Sequence, residues 1–190
     1  VVVVNHADAH GRDATFDRWT TTRDTLDFDG PVRVRRVGKV ASVARLDVCP
    51  NLLKELRRVQ SGGIDLFHLH TPNPTMLLAL VALGTRVRIV VTHHSDVIRQ
   101  KLLRHLLTPF ERRIYGKAAR LIVSTPPYLE ASPLLNRYRD KVRIVPFGID
   151  LDDFLNHSGK ALEASDRWKR DYGWPLWLMV GRLIYYKGID

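Results

Sequence analysis

A series of short apolar runs, each stopping abruptly in small, polar or proline residues, constrains this chain more than any other feature. Ile64–His70, Arg88–His93, Arg120–Val123 and Val142–Val145 are too short for helices and rich in β-branched residues, and stretches with helical spacing separate them. The alternation predicts parallel βαβ units with right-handed crossovers, an α/β fold in which helices cover both faces of the sheet. Strands buried that way carry near-continuous apolar runs. Their carboxyl ends are then the places to search for chemistry, because open α/β sheets bind ligands there.

The run Arg88-Ile-Val-Val-Thr-His-His-Ser-Asp96 puts Thr92, His93, His94, Ser95 and Asp96 at such an end. From the residues alone they read equally as ligand-binding groups or as loop residues capping a strand. The preceding run carries His68 and His70 into Thr71-Pro-Asn-Pro74. Asn73 is suited to cap a helix and Pro74 to open it, so Thr75–Leu83 is predicted helical, closed by Gly84. That helix is apolar all round and predicted buried, with its positive end at the mouth of the sheet. Ser124-Thr125 and Pro146-Phe-Gly-Ile-Asp150 end the last two runs.

Elsewhere the signals are weaker. Val1–Val4 reads as a strand, Asn5–Gly30 as a polar exposed loop, and Val32–Val37, where Val alternates with Arg, as a strand near a sheet edge with one wet face. Pro50 opens a helix whose stripe is Leu52, Leu53, Leu56 and Val59, stopped by Gly62-Gly63. Ile98–Leu107 is predicted as a basic amphipathic helix with Arg99, Lys101 and Arg104, and Thr108-Pro109 as the start of a second with Arg112, Arg113 and Lys117. These cations form either a solvated face or, around 98–117, a surface for anionic lipid. After a helix over Ala161–Tyr172, Gly173-Trp-Pro175 breaks the chain, and Leu176–Val180 reads as the first strand of a second unit. The expected domains are therefore 1–172 and 176–190.

The formal net charge of +10 and pI near 10.1 favour anionic partners without choosing among them. No apolar run approaches the roughly 18 residues that span a bilayer. Cys49 is the lone cysteine, which excludes an internal disulfide and fits a reducing, cytoplasmic compartment. The chain opens on Val1 without a Met and stops at Asp190 just after a strand-like run, so it reads as a piece of a longer protein whose targeting is not legible.

Gly181 follows an apolar run directly, and Arg182 and Lys187 bring two cations to the same end. Glycine lets the backbone turn sharply or approach a ligand, and a guanidinium with an ammonium suits a diphosphate. Alone, the pattern is equally that of two surface cations.

In company it says more. Val180-Gly-Arg-Leu-Ile-Tyr-Tyr-Lys-Gly-Ile-Asp190 resembles the opening of the donor domain in family 4 retaining glycosyltransferases, which have two facing Rossmann-like domains, the GT-B fold. Phe67-His-Leu-His-Thr-Pro-Asn-Pro74, Val90–Leu102, Ile122–Leu129 and Val145-Pro-Phe-Gly-Ile-Asp150 resemble that family's acceptor domain, in the family's order. The resemblance implies an incomplete N-terminal Rossmann-like domain, lacking its first βα unit, followed by the first strand of the donor domain.

It also implies roles. His94 matches the histidine of a Thr-aromatic-His motif that lies near the transferred sugar, with His93 in place of the usual aromatic. Gly181, Arg182 and Lys187 match the donor diphosphate site, and Gly148 the glycine where acceptor domain meets linker. Asn73, Ser95, Asp96 and Ser124 are weaker candidates for the acceptor side of the cleft. The implied reaction moves a sugar from a nucleotide-diphosphate sugar, GDP-mannose by resemblance, to a hydroxyl on a lipid-linked or polysaccharide acceptor, with retention. No cofactor or metal is expected, the cations standing in at the diphosphate. An acidic pair that contacts donor sugar and ribose would follow Asp190, so residues 1–190 alone are expected to be inactive, and the intact enzyme to sit at the inner face of a membrane.

Two other classes compete. His68, His70, His93 and His94 at neighbouring strand ends, with Asp96, suggest the metal site of a hydrolase, which a stoichiometric metal content would reveal. The charge suggests a nucleic-acid-binding module, but the basic residues are not interleaved with aromatics, and no nucleic acid is expected. A dehydrogenase is disfavoured, since no Gly-x-Gly-x-x-Gly follows a strand.

Overall fold

The structure, a computed structural model, describes residues 1–15, 17–43, 46–96, 101–156 and 158–181, without the side chains of 101–104, 153 and 154. Two compact units divide it, Val1–Phe147 and Gly148–Asp190.

The first unit is α/β. A parallel sheet takes the order β6 (Leu66–Thr71), β7 (Arg88–His93), β8 (Arg120–Val123), β9 (Val142–Ile144), flanked by helices. The expected Rossmann-like architecture is present. Strand β7 is buried along most of its length, and Val91, Leu121 and Val123 have no exposed surface. Each such side chain contributes about 1.5–3 kcal/mol by leaving water.

Helix α2 (Pro74–Leu83) forms as its sequence predicts. The Asn73 side chain accepts from the Met76 amide at 3.0 Å, Pro74 occupies the first turn, and Gly84 closes the helix in the left-handed region at φ 62°. Thr75, Met76, Leu77 and Leu80 are buried. Helix α1 (Leu52–Ser61) buries Leu52 and Leu56 of the expected stripe and is capped by Gly62.

The N-terminal third differs from expectation. Within the segment read as a loop, Thr25–Asp29 forms β2, which pairs antiparallel with β3 (Val32–Gly38) across the turn at Gly30-Pro31, where Gly30 has φ 54°. Every residue of β2 is exposed, so its ladder, and not burial, holds it. Strand β3 is consequently central, between β2 and the parallel strand β1 (Val2–Asn5). Its arginines are accommodated by partners: Arg36 Nε donates to Asp27 at 2.6 Å, and Arg35 Nε lies 2.6 Å from Glu55 of α1.

A small hairpin, β4 (Ala41–Val43) with β5 (Leu46–Val48), follows and has no counterpart in the sequence reading. It surrounds Lys39, which is fully buried. The Lys39 ammonium donates to the Ala14 carbonyl at 2.5 Å, the Asp17 carbonyl at 3.2 Å and Ser42 Oγ at 2.8 Å. Ser42 in turn donates to Asp47, whose other carboxylate oxygen lies 3.0 Å from His6 Nε2. One cation thus ties the segment around Ala14–Asp17 to the hairpin. The Asp47 amide also donates to Thr75 Oγ1 at 2.8 Å, fastening the hairpin to α2.

The two basic helices expected over 98–117 are one, α3 (Lys101–Lys117), with Pro109 inside it. Residues 98–100 lie outside the described residues. Proline removes one amide donor and leaves the carbonyl four residues earlier, at His105, without it; both residues are exposed, so water meets the loss. Arg112, Arg113 and Lys117 are exposed on this helix, while Leu107, Ile114 and Tyr115 face the core. Two short helices, α4 (Pro126–Ala131) and α5 (Pro133–Asn136), follow β8.

The second unit holds α6 (Asp152–Leu155) and α7 (Gly159–Tyr172). Ser158 caps α7 by accepting from the Ala161 amide at 3.3 Å. Helix α7 buries no residue, and the division between the two units falls at Phe147–Gly148. Leu176–Val180, expected as a strand, pairs with no described segment, and Trp177, Leu178 and Val180 are exposed. A strand exists only through its ladder. No helix among the described residues is long and apolar enough to cross a membrane.

Candidate functional site

Because β6, β7, β8 and β9 run parallel, their carboxyl ends share one edge. Asn73 lies just beyond β6, His94, Ser95 and Asp96 beyond β7, Ser124 beyond β8, and Phe147 beyond β9. The pairing register explains which side chains meet. His70 stands opposite Thr92 and Thr71 opposite His93, and side chains alternate between faces along each strand. His70, Thr92 and His94 therefore share one face, and Thr71 and His93 the other.

The two faces hold the histidines in different environments. On the buried face, His93 is 4% exposed, and its Nδ1 lies 2.8 Å from the Tyr115 hydroxyl and 3.3 Å from Thr71 Oγ1. Tyr115 and Thr71 are themselves hydrogen-bonded at 2.9 Å. Burial pushes the Tyr115 phenol well above its ordinary pKa, so it stays a neutral hydrogen-bonding group. The His93 ring also meets Tyr128 edge-on, 6.3 Å between centroids. The imidazole thus packs edge-on against two tyrosine rings, Tyr115 and Tyr128. Its Nε2 lies 3.4 Å from Asp96 Oδ1 yet makes no hydrogen bond among the described residues.

On the open face, His94 is exposed and held at three points. Its amide donates to the Thr71 carbonyl at 2.9 Å, its Nε2 lies 2.9 Å from His70 Nδ1, and Phe147 stacks on its ring at 5.8 Å and 12°. The His70 and His94 ring planes are within 15° of parallel, and their centroids lie 5.2 Å apart, far enough for the two nitrogens to stand in line between the rings. Desolvation, followed by His70 and His93 nearby, lowers the His94 pKa from its ordinary value. His68 is lowered likewise by desolvation, then by His70 and His94, and its Nε2 lies 2.7 Å from Thr92 Oγ1. The exposed side of β7's end therefore presents a neutral imidazole at neutral pH.

The other expected residues are dispersed. The Asn73 side chain is occupied in capping α2, and Ser95 and Ser124 are half-buried at the sheet edge. Asp96 accepts from Ser132 Oγ at 3.2 Å and lines a cleft of about 240 Å³ with Thr108, Glu111, Arg112, Pro133 and Arg137, none of them histidine. Gly148 and Gly181 are exposed in the second unit, and Arg182 and Lys187 lie outside the described residues.

For a metal, the histidines are badly divided: His93 turns into the core, His94 and His70 face each other, and His68 meets Thr92. Among the described residues no group of three or more histidine, cysteine or acidic side chains is arranged to hold an ion. The hydrolase reading lacks a ligand set there.

Sequence reasoning missed His70 as the partner of His94. The His-x-His spacing put it on the right face, but only the register between strands shows which neighbour it meets.

Comparison with known proteins agrees with this architecture. A family model described as Glycosyltransferase Family 4 matches residues 1–153. The chain is 32% identical over 159 residues to D-rhamnosyltransferase WbpZ of Pseudomonas aeruginosa, covering 80% of this chain and 41% of that protein. It is 32% identical over 142 residues to O-antigen chain mannosyltransferase C of Escherichia coli, covering 74% of this chain and 37% of that one. The chain thus spans less than half the length of either relative. With the family matched over most of its length and the parallel sheet in place, this chain belongs to glycosyltransferase family 4.

Proposed function

We propose that the intact protein is a retaining hexosyltransferase, which moves a sugar from a nucleotide-diphosphate sugar to a hydroxyl of a lipid-linked or polysaccharide acceptor. The observation that carries the reading is His94, a neutral imidazole held open to solvent at the carboxyl edge of a parallel sheet. Its neighbours at that edge are the acceptor-side candidates Asn73, Ser95, Asp96 and Ser124. One relative is named for D-rhamnose and the other for mannose and O-antigen chains, which favours a hexose donor, GDP-mannose first, and a polysaccharide product.

In this reading the bond from the sugar's anomeric carbon to the diphosphate breaks, and a bond to the acceptor oxygen forms on the same face. The acceptor's proton leaves with the diphosphate. Arg182 and Lys187 hold that diphosphate and take up its growing charge, the electrostatic role of fixed cations, with Gly181 letting the backbone approach. No metal is needed. His94 lines the cleft beside the transferred sugar, and Gly148 stands at the start of the linker. Exposed Arg112, Arg113 and Lys117 on α3 draw the protein to anionic lipid at the inner face of the membrane. Residues 1–190 by themselves do not catalyse transfer.

The test is a donor screen on the intact protein that follows nucleoside diphosphate release, with His94→Ala, Arg182→Ala and Lys187→Ala beside wild type. Each substitution is expected to depress turnover by about a hundredfold or more. Near wild-type rates in all three, or no release with any nucleotide sugar, overturn the assignment. Sedimentation with anionic vesicles at low salt tests the membrane surface separately, and absence of binding ends that part.

A further inference from the structure

We propose that His70 is the positioning residue of His94: the two imidazoles share one bridging proton, act as a unit, and leave Nδ1 as the ring nitrogen that His94 offers to a substrate. The inference rests on the reading of His94 given above and deepens it.

The geometry carries it. Nitrogens 2.9 Å apart in near-parallel rings whose centroids lie 5.2 Å apart require one N–H and one lone pair between them. Two N–H groups would repel at that distance. In the neutral pair the bridging proton sits on either nitrogen, so His94 Nδ1 is a donor in one arrangement and an acceptor in the other. When the pair takes up one proton, the hydrogen bond survives only with a proton on His94 Nδ1, which is then a donor. A second proton breaks the bond and frees the ring. Orientation and protonation of His94 are therefore one variable, and His70 sets it.

The surroundings add rigidity without competing for these atoms. Phe147 stacks on His94, and the Thr71 carbonyl holds the His94 amide. Among the described residues, the titratable groups facing the pair are His68 of β6, 4.6 Å from the His70 ring and itself bonded to Thr92, and His93 of β7, which turns to Tyr115 with Asp96 beside it. Every one of these histidines opposes further positive charge on the pair. Removing His70 takes away a cause that holds His94 below its ordinary value, so the acid limb of the rate profile should move to higher pH.

The experiment uses the intact protein and reads two quantities. The first is a through-hydrogen-bond coupling between His70 Nδ1 and His94 Nε2 in nitrogen-15 spectra at neutral pH, which needs no turnover. The second is the pH profile of kcat and kcat/KM for wild type, His70→Ala and His70→Asn. His70→Ala is expected to lose about tenfold to a hundredfold in kcat with little change in KM, as when a partner that orients a functional histidine is removed. His70→Asn can still hydrogen-bond Nε2, so it should recover most of kcat while keeping the displaced acid limb. A merely structural role would scale the rate and leave the limb in place.

Absence of the coupling, or acid limbs in both variants that coincide with wild type, overturns the proposal. If His94→Ala itself leaves turnover unchanged, the functional reading of the site fails, whereas the coupling still reports whether the pair exists.

Discussion

His93 Nδ1 lies 2.8 Å from the Tyr115 hydroxyl, and the two rings meet edge-on at 82°. The phenol is the hub of this buried contact, because it also bonds Thr71 Oγ1 at 2.9 Å. Tyr115→Phe leaves both partners without it, facing one another at 3.3 Å, and should cost about 1–3 kcal/mol in denaturant unfolding. His93→Phe supplies the family's usual aromatic and removes a buried nitrogen, Nε2, that has no hydrogen bond among the described residues. Its stability should stay within about 1 kcal/mol of wild type. The reverse order of the two variants would refute this account of the contact.

Lys39 offers a second stability test. Lys39→Met keeps most of the apolar stem but deserts the carbonyls of Ala14 and Asp17 and the hydroxyl of Ser42. The expected loss is about 3 kcal/mol, since buried acceptors are left unpaired and Asp47 loses its indirect countercharge. A loss below about 1 kcal/mol in a chemical denaturation curve would mean that the ammonium contributes nothing net.

Acid should loosen the open face of the sheet before it touches the carboxylates. His68 and His94 are both lowered from 6.5, so between that value and their folded values the unfolded chain binds more protons. Stability contributed by these groups is present above pH 6.5 and is lost as pH falls through that window. Replacing both with Gln should flatten the slope of unfolding free energy against pH just below neutrality. An unchanged slope would show that neither histidine carries it.

Cys49 should be a poor nucleophile. Burial, reinforced by Asp47, pushes its thiol up to about 11, from an ordinary value of 9.0. The thiolate population near neutral pH is then about a hundredfold lower than for an open cysteine, and alkylation should slow in proportion. Labelling of the folded protein at the rate of a free thiol would contradict the burial.

Burial and capping made much of this fold readable. Strands β7 and β8 announce themselves as apolar runs because both faces leave water, and α2 because Asn73, Pro74 and Gly84 each satisfy a distinct backbone need at its ends. Strand β2 was hidden for the complementary reason: held by its ladder in full exposure, it places no demand on side-chain hydropathy. Pro109 misled because its cost depends on whether water can serve the abandoned carbonyl, which is a property of position. Lys39 carries no sign in the sequence that its ammonium is internal. At the candidate site, a motif singles out His94, whereas its contact with His70 follows from register, a relation between strands that no single stretch encodes.

The parallel sheet has a consequence for how such a protein can diverge. The four strands end at one shared edge, while Val91, Leu121 and Val123 behind it are sealed from solvent. Residues beyond those ends can therefore change without reopening the interior. Change can act on those ends separately, whereas His70, like His68 and His93, belongs to a strand and moves only with the frame.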